Sequence, residues 1–148
     1  MFVFCKGKPK TFNPLTIPSI HAGKKITRSQ DNKDENQSVR GRKYTKITTD
    51  EKRRPNIWTY KIGTNCTTKD KIAFKHPAIF PEQLVVDHIL SWSNENDIVM
   101  DIFSGSGTTH KMALLNNRQY IGFELSQDYI DIENERLKEI KNGYITSL

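Results

Sequence analysis

The sequence is poor in cysteine: Cys5 and Cys66 are the only two in 148 residues. One distant pair makes no disulfide framework and has no metal-ligand spacing, so no metal is expected. Such sparse cysteine fits a reducing compartment, read here as cytoplasmic. Long hydrophobic runs are also missing. Hydrophobic residues make up 35% and mean hydropathy is −0.67, and no apolar stretch approaches the ~18 residues of a membrane span. Met1 to Cys5 is apolar but stops at Lys6, which is too short for a secretory signal. No membrane partner is expected. So low a hydropathy implies that part of the chain packs poorly or packs against something else. Six prolines occur, and no two are adjacent.

What is plentiful is charge, and its signs are segregated. Residues 1–75 hold 18 Lys and Arg against 6 Asp and Glu, whereas residues 76–148 hold 5 against 11. Basic residues in the first part lie beside aromatics: Lys6, Lys8 and Lys10 by Phe12, Arg40, Arg42 and Lys43 by Tyr44, and Lys52, Arg53 and Arg54 by Trp58. A basic part next to a ligand-binding part suits a protein that acts on nucleic acid, where phosphate attraction supplies affinity. A solvated basic segment without a specific partner is the competing reading.

The second part carries the most specific signal. Ile98-Val99-Met100 leads into Asp101 and reads as a buried parallel strand. Asp101-Ile102-Phe103-Ser104-Gly105-Ser106-Gly107-Thr108-Thr109 then makes a glycine turn that lets backbone approach a ligand, and Thr108 and Thr109 open a helix. A second strand, Gln119 to Phe123, ends at Glu124, whose carboxylate can accept both hydroxyls of a ribose. Three cofactor readings compete. A phosphate loop of the Walker type needs Gly-Lys-Ser/Thr, and Gly107 is followed by Thr108-Thr109, so that reading fails. A dinucleotide fingerprint places its third glycine where His110 stands, but Glu124 lies at about the right distance, roughly 20 residues on. S-adenosylmethionine needs one acidic residue for its ribose and a tight glycine turn, and no lysine. A ligand-free glycine turn is the fourth possibility.

The remaining periodicity is coarse. Phe2 to Cys5 and Ile57 to Tyr60 read as short strands, and residues from about Thr16 to Arg54 as a long polar loop without period. Pro81 opens a helix with Val85, His88, Ile89 and Trp92 on one face, His88 being a packed residue rather than a ligand. Lys111 continues the helix after the glycine turn to about Asn116-Asn117, and Ser126 caps another whose stripe is Ile130, Leu137, Ile140 and Tyr144. The result is α/β: part of a doubly wound, Rossmann-like sheet (residues 76–148) with a long basic loop region (residues 1–75).

With His76-Pro77-Ala78-Ile79-Phe80-Pro81-Glu82-Gln83-Leu84 upstream and Ile121-Gly122-Phe123-Glu124 downstream of the glycine turn, the sequence resembles the amino-group DNA methyltransferases of bacteria and their phages. It is most similar to the permuted branch whose cofactor motifs come last. The resemblance is strong from His76 to about Leu137 and looser over Met1 to Leu15 and Arg54 to Ile62. It implies S-adenosylmethionine as cofactor and DNA as partner, with methyl transfer to the exocyclic nitrogen of adenine or cytosine. By matched positions, Glu124 would hold the ribose, Asp101 the methionine ammonium, and Phe80 and Phe103 would be apolar walls. Gly105, Ser106, Gly107, Thr108 and Thr109 would cradle the methionine part. The basic loop would recognise DNA, with Arg40, Arg42, Lys43, Lys52, Arg53 and Arg54 as candidate contacts.

Two departures from that family pattern stand out. Ile102 replaces a usual proline, with little consequence expected. The second concerns catalysis: the family flips the target base onto an Asp/Asn/Ser-Pro-Pro-aromatic loop, and this sequence has no Pro-Pro pair, Asn13-Pro14-Leu15 being the nearest string. No catalytic residue is therefore assigned. The expectation is an incomplete methyltransferase domain, split or truncated, which leaves a strand edge open and favours a second polypeptide carrying the loop, or self-association. A non-enzymatic nucleic-acid-binding protein that keeps the scaffold is the alternative.

Overall fold

A computed structural model describes residues 4–33 and 39–145, and the side chains of residues 4–28, 44–138 and 140. Two compact units form, Met1–Asn13 with Ile57–Leu148, and Pro14–Asn56. The units do not follow the charge boundary at residue 75.

The larger unit is built on a parallel pair of strands. Strand β5 (Ile98–Asp101) runs beside β6 (Gln119–Gly122) in the register Ile98↔Gln119 to Asp101↔Gly122. Helix α2 (Thr108–Leu115) makes the crossover between them, as a parallel pair requires. Helix α1 (Glu82–Trp92) precedes the pair and α3 (Gln127–Ile145) follows it. Pro81 sits at the N-cap of α1 with extended backbone, and Glu82 stands in the first turn, where a negative charge is favoured. Asn117, at φ +61°, turns the chain out of α2 towards β6. Val85, Ile89, Met112 and Ala113 form the buried core, with Val86, Val99 and Tyr120 packed against it. The N-terminal segment is tied to the end of α1: the Asn13 N–H donates to the Ser91 carbonyl at 2.8 Å, and the Phe12 and Trp92 rings lie 4.7 Å apart.

Three sequence expectations are corrected in this unit. Ile57 to Tyr60 is not a strand; side chains anchor it instead, the Trp58 ring against His88 and the Tyr60 hydroxyl donating to Asp87 at 2.8 Å. Phe4 and Cys5 lie outside any strand, and Met1 to Val3 fall outside the described residues. Strand β5 is parallel as expected but not buried, with Ile98 at 59% and Met100 at 64% exposure. Its only sheet partner among the described residues is β6, so one edge of β5 and much of its side-chain surface meet no other strand.

The smaller unit corrects the long-loop expectation. Residues 16–54 hold four strands: β1 (Thr16–Pro18) pairs antiparallel with β4 (Glu51–Arg53), and β2 (Lys25–Lys33) with β3 (Val39–Ile47). The β2–β3 ladder carries no apolar alternation; Lys25, Thr27, Arg28, Tyr44, Thr45 and Lys46 are all exposed. Backbone pairing joins these strands while none of their described side chains is buried, and the sequence has no alternation for periodicity to find.

Candidate functional site

The carboxyl ends of β5 and β6 bring the glycine turn and Glu124 together. Gly105 and Gly107 adopt φ +53° and +73°, a left-handed backbone that costs little only for glycine, and Gly107 forms the N-cap of α2. Asp101 organises the start of the loop: its Oδ1 accepts the Phe103 N–H at 3.0 Å and its Oδ2 the Thr109 hydroxyl at 2.6 Å. Glu124 Oε2 accepts the Gly105 N–H at 2.9 Å, and Oε1 accepts those of Leu125 and Ser126 at 2.8 and 2.9 Å. Hydrogen bonding from Ser126, with those from Gly105 and Leu125 and the charge of His76, outweighs desolvation and holds the Glu124 carboxyl below the usual carboxylate range. The group is an anion at neutral pH.

Two open cavities flank this loop and divide the expected cofactor residues. Phe80, Asp101 and Thr109 line a groove of about 630 Å³ between α1 and β5, together with His88 and Trp92. Phe103 and Glu124 line a second one of about 580 Å³, with Phe123, Leu125 and Ile130. Gly105, Ser106, Gly107 and Thr108 are buried and line neither of these. The two glycines are also closed on one side. A Cβ added to Gly105 would press on the His76 ring, and one added to Gly107 would overlap the Glu133 side chain. The His76 ring itself packs on Tyr129 at 4.2 Å, and its Nδ1 accepts the Ala78 N–H at 3.1 Å.

The periodicity gave no sign of the residues that hold this loop in place. Arg136, wholly buried on α3, donates through Nη1 to the Ser106 carbonyl at 2.5 Å and to the Thr108 hydroxyl at 3.1 Å. Asp70 and Glu82 balance its charge at 2.9 and 3.1 Å, and Lys111 Nζ meets the same two carboxylates at 2.6 and 2.7 Å. Burial pushes the Asp70 carboxyl up, but the bonds and charges of Lys111 and Arg136 together hold it below its ordinary value. Glu133 accepts the Ser104 hydroxyl at 2.9 Å and contacts Nδ1 of His110. His110 stacks on Tyr120 at 4.6 Å and fills the space that a Cβ on Gly122 would need. In a dinucleotide fingerprint the third glycine permits close helix–strand packing. Here the glycine lies on the strand and the bulk on the helix. The buried stripe of α3 is accordingly Ile132, Arg136 and Leu137, with Ile130 and Ile140 only half-buried and the Tyr144 side chain outside the described residues.

Of the candidate nucleic-acid residues, Lys52 and Arg53 are exposed on β4 and Arg54 follows it half-buried. Arg40, Arg42 and Lys43 lie in β3 opposite Asn32, Gln30 and Ser29, with side chains outside the described residues. The unit Pro14–Asn56 carries 11 Lys and Arg against 5 Asp and Glu, which is the whole net charge of +6, since the rest of the chain holds 12 of each sign. Arg28, Tyr44, Lys46, Lys52 and His21 line a shallow concavity on this unit that has no carboxylate among its described lining residues. No group of three or more His, Cys, Asp or Glu suited to a metal occurs among the described residues, and no described helix is long and apolar enough to cross a membrane.

Comparison with known proteins adds the family. The orphan methyltransferase M.BamHII of Bacillus amyloliquefaciens is 54% identical over 140 residues, covering 93% of this chain and 52% of that protein. The type II methyltransferase M.HinfI of Haemophilus influenzae is 41% identical over 96 residues, 62% of this chain and 26% of its own length. The chain thus spans about half of the first relative and about a quarter of the second. Among solved structures, the cytosine-N4-specific PvuII DNA methyltransferase aligns with 41% of this chain and 22% of its own, at 38% identity and a TM-score of 0.41. The N6/N4 DNA methylase family matches residues 1–135, and the chain belongs to that family.

Proposed function

We propose that the chain is the cofactor-binding and DNA-recognising portion of an S-adenosylmethionine-dependent DNA methyltransferase, acting in the cytoplasm on the exocyclic amino group of adenine or cytosine. One observation carries the cofactor reading: the Glu124 carboxylate stands at the end of β6, bonded to the glycine turn through Gly105 and facing the cavity that Phe103 also lines. The residues fit the group. Glu124 Oε1 carries two N–H bonds and Oε2 only one, so Oε2 keeps a lone pair for a ribose hydroxyl. Asp101 offers negative charge to the methionine ammonium, and the exposed Phe103 ring gives an apolar surface to the adenine. When bound, S-adenosylmethionine supplies the electrophilic methyl group.

The chain's own residues bind and orient; none is assigned to the reacting amine. A Pro-Pro-aromatic string is absent from this sequence, so methyl transfer draws on a further segment, in the same polypeptide or in a second one. The apolar surface of β5, β6 and the loops beyond, including Met100, Ile121 and Phe123, suits coverage by such a segment or by a second copy. The concavity lined by Arg28, Lys46 and Lys52 with Tyr44 suits the DNA backbone, with attraction that weakens as salt rises.

Calorimetric titration of the full chain with S-adenosylmethionine, with Glu124→Ala as control, tests the cofactor reading. Saturable binding that the substitution abolishes is expected. A folded chain that binds duplex DNA but no S-adenosylmethionine would replace it with the scaffold reading, a nucleic-acid-binding protein without enzymatic activity.

A further inference from the structure

The loop from Asp101 to Thr109 is held by more than its own hydrogen bonds. Arg136 grips Ser106 and Thr108, and its charge is balanced by Asp70 and Glu82. Glu133 is harder to account for as fold closure alone. It stands on α3, and its side chain is only 12% exposed, with no Lys or Arg paired to it in the described structure. Burying a carboxylate is costly unless it is hydrogen-bonded. Its two oxygens go to the site loop and to the helix that follows: Oε2 accepts the Ser104 hydroxyl at 2.9 Å, and Oε1 meets Nδ1 of His110. Its Cβ and Cγ lie directly beside Gly107, in the space a Cβ there would claim. One side chain therefore touches the loop before the glycines, the N-cap of α2, and the first turn of α2.

His110 makes this arrangement rigid. The ring is 1% exposed, stacked on Tyr120 and backed by Gly122. Its Nε2 has no hydrogen-bond partner among the described residues, so the contact with Glu133 is the polar contact that orients the ring. A buried imidazole locked by packing is a firm support for a carboxylate that must point at one hydroxyl.

We infer that Glu133 is a positioning residue for the cofactor loop, acting through Ser104 and His110. It fixes residues 104–107 relative to α2, so that the Gly105 N–H stays on Glu124 and the carboxylate keeps its place beside the cavity. The inference rests on the cofactor reading above and deepens it. Glu133 also lines the cavity of Phe103 and Glu124, so Ser104→Ala, which cuts its bond to the loop and leaves the Glu133 side chain in that lining, must weaken binding as well if the effect on affinity runs through the loop.

The test is titration of the full chain with S-adenosylmethionine in three variants. Glu133→Gln keeps the shape and can still hydrogen-bond Ser104. Glu133→Leu fills the space beside Gly107 and bonds nothing. Leu137→Val is a destabilising control, buried on the same helix but lining neither cavity beside the loop. Glu133→Leu is expected to weaken binding about tenfold, the scale of one lost hydrogen bond with its stranded partner. Glu133→Gln should stay within about threefold of wild type, and Leu137→Val should leave affinity unchanged once folding is confirmed. Unchanged affinity in Glu133→Leu overturns the inference, and so does equal weakening in Leu137→Val. Ser104→Ala, which cuts the same bond from the loop side, stands in if Glu133→Leu does not fold.

Amide hydrogen exchange without cofactor separates the two levels of the proposal. Glu133→Leu should speed exchange at Gly105, Ser106 and Gly107 more than in the rest of the unit. A wild type that binds no S-adenosylmethionine but shows this loosening refutes the cofactor reading and leaves Glu133 as the residue that fixes the loop. Absence of loosening refutes the positioning role itself.

Discussion

Replacing Arg136 with methionine should remove a large share of the larger unit's stability. The guanidinium is wholly buried between Asp70 and Glu82, with Lys111 as the only other cation on those carboxylates among the described residues. In Arg136→Met one lysine faces two carboxylates, leaving about one negative charge without compensation. Removing one partner of a buried ion pair costs about 3–5 kcal/mol. The Ser106 carbonyl and the Thr108 hydroxyl also lose a donor, and each stranded group adds roughly 1–3 kcal/mol where water cannot reach it. These losses overlap in one side chain, so the expected total is about 4 kcal/mol, against the 5–15 kcal/mol that holds an ordinary domain folded. Urea unfolding followed by Trp58 and Trp92 fluorescence should show the midpoint falling at a nearly constant slope. Arg136→Lys should recover only part of the loss, because an ammonium lacks the fork that serves both carboxylates and the loop carbonyl. In Arg136→Met/Asp70→Asn the excess charge is gone, and the double variant should lose less than the sum of its parts. A loss under about 1 kcal/mol, or strict additivity in the double variant, would refute the reasoning.

Gly122→Ala, which inside a strand ordinarily gains up to about 1 kcal/mol, should instead cost about 1–3 kcal/mol, because the new methyl group meets the buried His110 ring. Gly122→Ala/His110→Ala should regain most of that loss in the same unfolding assay. Asp70 makes stability depend on acid: its folded value lies below the ordinary 3.8, so its contribution is complete at neutral pH and drains away as pH falls below about 4. Asp70→Asn should flatten that part of a stability-versus-pH curve, and an unchanged curve would contradict the assignment. On the smaller unit, Arg28→Ala/Lys46→Ala should weaken duplex binding and reduce the slope of log K against log salt by about two. A slope that does not change would move the phosphate contacts elsewhere.

Much of the larger unit could be read before any coordinates. The glycine turn, the two short parallel strands and Glu124 each have a local signature: a loop conformation that needs glycine, apolar runs too short for helices, and an acidic residue just past a strand. Helix α1 was legible from Val85 and Ile89. The supports of the loop were not. Glu133 and Arg136 look like ordinary polar positions of a surface helix, and only their partners at Asp70, Glu82, Ser104 and His110, far away along the chain, turn them inward. Strand β5 misled in the opposite sense. Its composition predicts burial on both sides, a tertiary property that no local pattern can supply. The β2–β3 hairpin was missed because period-two alternation reports burial of one face, and among its described side chains, Lys25–Arg28 and Tyr44–Ile47, none is buried.

That hairpin has a consequence for how the protein can change. Along Lys25–Arg28 and Tyr44–Ile47 the side chains face water on both sides, with only Ile26 half-covered, and Thr27 and Thr45 meet across the ladder at 3.1 Å. An exchange of one exposed residue there disturbs no core, so most substitutions should stay within about 0.5 kcal/mol of neutral. The same exchange around Ser104, Gly107, His110 or Arg136 breaks an interlocked network. Selection can therefore rewrite the basic surface many times while the scaffold beside Glu124 stays fixed, so whatever that surface contacts can change without disturbing the glycine turn.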